Sequence, residues 1–194
     1  MGGCRPYHFY CTYILVEITI NMNPFWYEIE HTITDAYRKK MLKVAKAATY
    51  TRYGQHAKKD HERTMHGISR NVPYLDIKPL LKCVNHLPHN AYLLHNPPYD
   101  PVPRHIDFVQ YTRKSSSVSW YLSPSLEDFA PVDFFDKDNN KHTYHYKENA
   151  VILNTGEWIH SVTNNEHDRY MLQLAYEEPL DWIMENLKFT PMKE

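Results

Sequence analysis

Hydrophobic positions along the chain fall into two textures that meet near residue 90. In the first, Ile14, Val16, Ile18 and Ile20 alternate with Leu15, Glu17 and Thr19, which is the period of a strand. Residues 1–21 read equally well as an extension lying outside the core. Ile33, Ala36, Tyr37, Met41, Val44 and Ala45 then recur at helical spacing and predict a helix through Ala48, capped by Thr32 or Thr34. Residues 50–72 are rich in His, Arg and Lys without a period, which predicts a loop or lid, and a short helix is predicted over 76–85. From Ala91 onward, short apolar segments separated by turn residues predict strands over 91–95, 106–111, 118–122, 133–135, 142–146, 150–154, 160–163 and 170–176. A last helix is predicted over 180–187.

Eight short strands suit a jelly roll, so the expected fold is mainly β with flanking α-helices. Pro97-Pro98, Pro101, Pro103, Asp138-Asn139-Asn140 and Asn164-Asn165 supply turn chemistry between strands. No repeat or linker divides the chain, which reads as one domain over 1–194. Residues 1–90 give an N-terminal strand and helical support, 91–177 the β core, and 178–194 a C-terminal helix and tail.

Composition changes this picture in only a few respects. With 194 residues, 42% of them apolar and 23% charged, the chain is long enough to bury a core around a closed cavity. Its 22 basic and 23 acidic side chains leave a formal charge of -1, so no global field draws nucleic acid or an anionic membrane. Arg38, Lys39, Lys40, Lys43 and Lys46 lie opposite an apolar stripe and read as a solvated helix face. Cys4, Cys11 and Cys83 form an odd set without a C-x-x-C pair, as expected of reduced intracellular thiols. The longest apolar run, from Phe9 to Ile20, is interrupted by Glu17 and too short for a bilayer. The expectation is therefore a cytoplasmic protein with no membrane span and no nucleic-acid partner.

Candidate chemistry sits in the β half. His105-Ile106-Asp107 puts two metal-capable side chains at i and i+2, which on a regular strand project from one face. His160 opens a later strand after the turn signal Asn154-Thr155-Gly156 and can supply a third ligand. Two histidines and a carboxylate on one side of an ion make the facial triad associated with iron(II) oxygenases, with open positions for substrates. With 13 histidines in the chain, His-x-Asp alone is weak and also fits a surface turn. Arg169 strengthens it, since a guanidinium nine residues after His160, at the head of the following strand, can hold a ligand carboxylate by a bidentate contact. Arg104, Arg113 and Lys114 read as solvated charges more readily than as a site for an acidic substrate. Trp120, Tyr121, Phe134, Phe135 and Trp158 read as core before they read as pocket lining. His142 and His145 do not share a strand face.

Pro103-Arg104-His105-Ile106-Asp107, the run from Val151 to Asn164, and Arg169-Tyr170-Met171-Leu172 together resemble the double-stranded β-helix core of the 2-oxoglutarate and iron(II)-dependent oxygenases. The likeness covers 91–177 and is greatest to the small prolyl- or aspartyl-hydroxylase-like enzymes of bacteria and viruses. It implies a double-stranded β-helix, cupin-like in outline, and an enzyme that couples decarboxylation of 2-oxoglutarate to hydroxylation. Fe(II), 2-oxoglutarate and O2 would be the cofactors and co-substrates. His105, Asp107 and His160 would hold the metal, and Arg169 would pair with the distal carboxylate. Many relatives carry a hydroxyl residue two positions after the arginine, where this chain has Met171, so a second anchor must come from elsewhere. Tyr92 is the candidate. The implied substrate is a small molecule or peptide, with an amino acid, peptide or protein side chain favoured. Two rival readings stand beside this one. A cupin-type metal enzyme would dispense with 2-oxoglutarate, though the usual His-x-His with a following Glu is absent. A non-enzymatic β-sandwich binding module would make the triad a coincidence.

Overall fold

The computed structural model describes residues 23–52, 67–69, 72–99, 101–106, 116–123, 125–126, 129–163, 166–178 and 180–193. The strand expected over 14–20, Cys4 and Cys11 lie outside the described residues.

The chain enters through strand β1 (Trp26–Ile29) and helix α1 (Asp35–Ala47). Thr34 caps α1, its Oγ1 accepting from the Tyr37 amide at 3.2 Å. The helix buries Tyr37, Met41 and Ala45, the i, i+4, i+8 stripe its spacing predicts. Within 50–72, Thr51–Arg52 (β2) and Gly67–Ser69 (β3) pair antiparallel, while 53–66, 70 and 71 lie outside the described residues. Helix α2 (Tyr74–Leu81) starts just after Pro73 and ends earlier than expected. It stops because the chain turns to pair with the C-terminal tail, Val84 bridging Phe189 and the Thr190 amide donating to the Cys83 carbonyl at 2.7 Å. Eight strands follow, β4 (Asn90–Asn96), β5 (Val102–His105), β6 (Ser116–Tyr121), β7 (Val132–Phe135), β8 (Lys141–Tyr144), β9 (Ala150–Leu153), β10 (Ile159–Val162) and β11 (Arg169–Tyr176), and then helix α3 (Leu180–Asn186).

These strands form two sheets. The large one runs β1-β9-β6-β11-β4-β3-β2 and the small one β5-β10-β7-β8. Strands β4 to β11 thus alternate between sheets except at the β7–β8 hairpin, both of whose strands lie in the small sheet, which is the winding of a double-stranded β-helix. Side-chain alternation assigns the two faces of the large sheet. Leu93, Val118, Trp120, Ile152, Leu172, Leu174 and Tyr176 face the helices, where they pack with Ile33, Met41, Leu80 and Ile183. Tyr121, Val151, Leu153 and Met171 face the small sheet and pack with Val132, Phe134, Tyr144 and Val162. β11 is covered on both faces, which is why its sequence reads as a nearly continuous apolar run. Trp120 and Phe134 are fully buried members of the two cores, and Trp158 packs at the edge of the second.

A strand not predicted from the sequence occupies Val102–His105; of the strand predicted over 106–111, Ile106 lies just beyond β5 and 107–111 lie outside the described residues. Pro101 and Pro103 read as breakers, yet among the described residues β5 is a bulged edge strand, a place in a sheet where a proline is tolerated.

Candidate metal centre and anion pocket

The small sheet brings His105 and His160 together. They are register partners on β5 and β10, with ring centroids 4.1 Å apart. A bulge makes this possible. From His105 to Val102 the chain advances three positions on β5, while from His160 to Val162 it advances two on β10. In a regular ladder with Val102 facing the core, Arg104 would follow it inward and His105 would face solvent. The bulge leaves both Pro103 and Arg104 exposed and turns His105 in.

Both imidazoles are tied through the same nitrogen. His105 Nδ1 donates to the Pro103 carbonyl at 2.7 Å and His160 Nδ1 to the Trp158 carbonyl at 3.2 Å. A carbonyl can only accept, so these contacts place a proton on Nδ1 of each ring, the arrangement in which a metal would be bound through Nε2. The turn before β10 is itself pinned, the Asn154 side chain donating to the Pro24 carbonyl at 2.9 Å and to Glu157 at 3.0 Å. Asp107 lies outside the described residues. Among the described residues, no three His, Cys, Asp or Glu side chains cluster in a way that could hold a metal.

Arg169 heads β11 on the face that looks toward the small sheet, 5% exposed. Its Nη1 donates to Asn96 Oδ1 at 2.9 Å and its Nη2 to the Tyr146 hydroxyl at 2.6 Å. The guanidinium also lies 4.7 Å from the Phe129 ring centre and 5.2 Å from that of Tyr146. Burial raises the pKa of the Tyr146 hydroxyl, with Arg169 pulling it the other way. No carboxylate pairs with Arg169 among the described residues. Its Nε and the neighbouring Asn96 Nδ2 are both buried donors without a hydrogen-bond partner there. Two orphaned donors beside an unpaired cation fit the carboxylate of a ligand, since leaving each unmet costs about 1–3 kcal/mol.

The structure does not bring Tyr92 to this arginine. Tyr92 is the register partner of Gln173, whereas Asn96 is the partner of Arg169. The four-residue offset is about 13 Å along a strand. The hydroxyl at Arg169 belongs to Tyr146, and the second polar contact to Asn96. Neither was legible, because 16 tyrosines offer no way to choose one and Asn96 acts only through a register that the chain does not spell out. Arg104 is exposed, as expected of a solvated charge, and its guanidinium also stacks 3.5 Å over Phe135. Arg113 and Lys114 lie outside the described residues. His142 stacks on Phe25 at 4.4 Å and contacts Asp136.

No family model and no curated protein sequence matches the chain. Solved structures do. A prolyl-4-hydroxylase from Pseudomonas putida aligns over 79% of this chain and 92% of its own at 15% identity, with a TM-score of 0.55. A prolyl hydroxylase from Trichoplax adhaerens, solved with a peptide fragment of the hypoxia inducible factor oxygen degradation domain, aligns over 79% and 84% at 14% identity and 0.53. HygX from Streptomyces hygroscopicus, solved with nickel and 2-oxoglutarate bound, aligns over 80% and 83% at 12% identity and 0.51. At such identities the likeness concerns the fold, which is the double-stranded β-helix of 2-oxoglutarate and iron(II)-dependent oxygenases.

Proposed function

We propose that this chain is a 2-oxoglutarate-dependent iron(II) dioxygenase that hydroxylates an amino acid, peptide or protein side chain. The observation that carries the reading is the facing pair His105 and His160, each with Nδ1 committed to a backbone carbonyl. Asp107, two residues beyond His105, would complete the set of ligands. Arg169 would bind the distal carboxylate of 2-oxoglutarate, its orientation held by Asn96 and Tyr146. The bound metal and co-substrate would supply the oxidative decarboxylation that yields succinate and carbon dioxide and the oxidising power to hydroxylate a C–H bond. The chain's own contribution is position and dryness. The two imidazoles are held at fixed orientation through Nδ1, the guanidinium sets the direction of the co-substrate, and Phe129, Phe134, Val162 and Met171 exclude water. A peptide substrate gains support from the Trichoplax neighbour, an analogy of fold alone.

The test is metal content after anaerobic reconstitution, with succinate release measured alongside. Wild type should bind one Fe(II) per chain, and His105→Ala, Asp107→Ala and His160→Ala should each lose it while keeping their circular dichroism. Unchanged iron in these variants would overturn the reading. Bound iron without succinate would favour a cupin-type enzyme.

A further inference from the structure

We infer that Arg104 is a positioning residue for the metal centre, clamping the β5 bulge so that His105 stays turned toward His160. The inference rests on the reading of His105 as a metal ligand.

Three observations carry it. Among the described residues β5 is the edge of the small sheet, and its ladder there holds it to β10 on one side. The bulge falls in the residues just before His105, and it supplies the Pro103 carbonyl that fixes the His105 tautomer. A bulged edge strand is the least constrained place in a sheet on which to mount a ligand, because the extra residue breaks the ladder where its hold is needed.

Arg104 provides the missing constraint. Its guanidinium contacts side chains of β7 and of the turn that follows it, although β10 lies between β5 and β7. The side chain ends with the guanidinium 3.5 Å over the Phe135 ring and Nη1 donating to Asn139 Oδ1 at 2.8 Å. The anchor is rigid. Asn139 sits at φ 64 in the turn joining β7 to β8. There the Asp136 carboxylate accepts from the Asn140 amide at 2.7 Å, the Asp138 amide at 3.0 Å and Asn140 Nδ2 at 3.0 Å. Phe135 is 5% exposed although it points away from the inter-sheet core, as expected of a ring covered by the guanidinium. A planar cation that stacks and donates at once suits this task, and lysine can do only part of it.

The experiment titrates Co(II) into the full chain, reading affinity and the visible ligand-field spectrum, with melting temperature recorded in parallel. Arg104→Ala should raise the cobalt dissociation constant tenfold to a hundredfold, as removal of supporting contacts around metal histidines commonly does, and alter the spectrum. Arg104→Lys should recover part of the loss. Asn139→Gly removes the acceptor while tolerating the positive φ, so it should weaken cobalt binding less than Arg104→Ala. The double variant should be no weaker than Arg104→Ala alone, because both act through one clamp. Should Arg104→Ala fail to fold, the Asn139→Gly titration decides by itself. If wild type binds cobalt and these variants bind it equally well with lower melting temperatures, Arg104 is a structural residue and the inference falls. A wild type that binds no cobalt overturns the metal-centre reading itself.

Discussion

Replacing Arg169 by alanine separates the proposed anion pocket from the proposed metal centre. Among the described residues the guanidinium makes two hydrogen bonds to protein while its buried Nε has no partner, and the Asn96 amide nitrogen beside it is equally unmatched. A co-substrate carboxylate would meet these donors with charge-assisted bonds worth about 1.5–3 kcal/mol each. Losing one such bond corresponds to a rise in dissociation constant of roughly tenfold to more than a hundredfold. Thermal shift makes the difference visible without knowing the substrate. Saturating the Mn(II)-loaded wild type at a hundred times the dissociation constant stabilises it by about 2.7 kcal/mol. At the same 2-oxoglutarate concentration the variant should gain about 1.4 kcal/mol for a tenfold loss or about 0.4 kcal/mol for a hundredfold one. With roughly 2–4 °C per kcal/mol for a chain of this size, the shift should fall from about 5–11 °C to about 1–6 °C. Arg169→Lys should lie between, keeping charge without the planar fork. Manganese affinity should not change in either variant. Equal 2-oxoglutarate shifts in wild type and Arg169→Ala would show that this arginine is not the anchor.

The remaining expectations concern stability. Chelating the metal should lower the melting temperature modestly and leave the chain folded, because the two cores on either side of the large sheet are complete without it; complete unfolding by chelator would mark a structural site. Thr34→Ala should cost about 0.5–2 kcal/mol by urea denaturation, since Thr34 Oγ1 satisfies the Tyr37 amide. His31 is 4% exposed between Trp120 and Phe189, and its ring nitrogens make no well-formed hydrogen bond among the described residues. Burial holds its pKa below the ordinary 6.5, the Thr190 backbone opposing only in part. A depressed folded pKa gives stability that is full above 6.5 and lost as pH falls below it, so the gap in melting temperature between pH 7.5 and 5.0 should narrow in His31→Phe.

The strands that sequence reasoning located best are those whose two faces meet different environments or two equal ones. The run from Tyr170 to Tyr176 has no polar face because helices cover one side of β11 and the small sheet the other, so its apolar character survives any error in assigning neighbours. β5 is the opposite case. Its residues include a proline, a bulge and two exposed positions in succession, so neither alternation nor an apolar run marks it. The hairpin limbs β2 and β3 were missed for a related reason, being two and three residues long and too short to display a period.

The same bulge bears on how the candidate ligands can be read. His-x-Asp was singled out on the premise that i and i+2 share a face, which holds for a regular strand. Here His105 is the last residue of β5 and faces the core only because the ladder is irregular before it. What the sequence carries is the chemistry of the residue types and their order, His105 then His160 then Arg169. What sets their orientation is non-local. His160 selects His105 through cross-strand register, Asn96 reaches Arg169 through register on a different sheet, and Tyr146 arrives from beyond the end of β8. Register depends on which apolar face is buried, since a one-residue slip would turn every side chain of a strand outward. The buried valines Val102 and Val162 therefore help fix the pairing that carries the two histidines. A polar substitution at Val162 should disturb the pairing of His105 with His160, and with it the proposed metal centre, as well as the core.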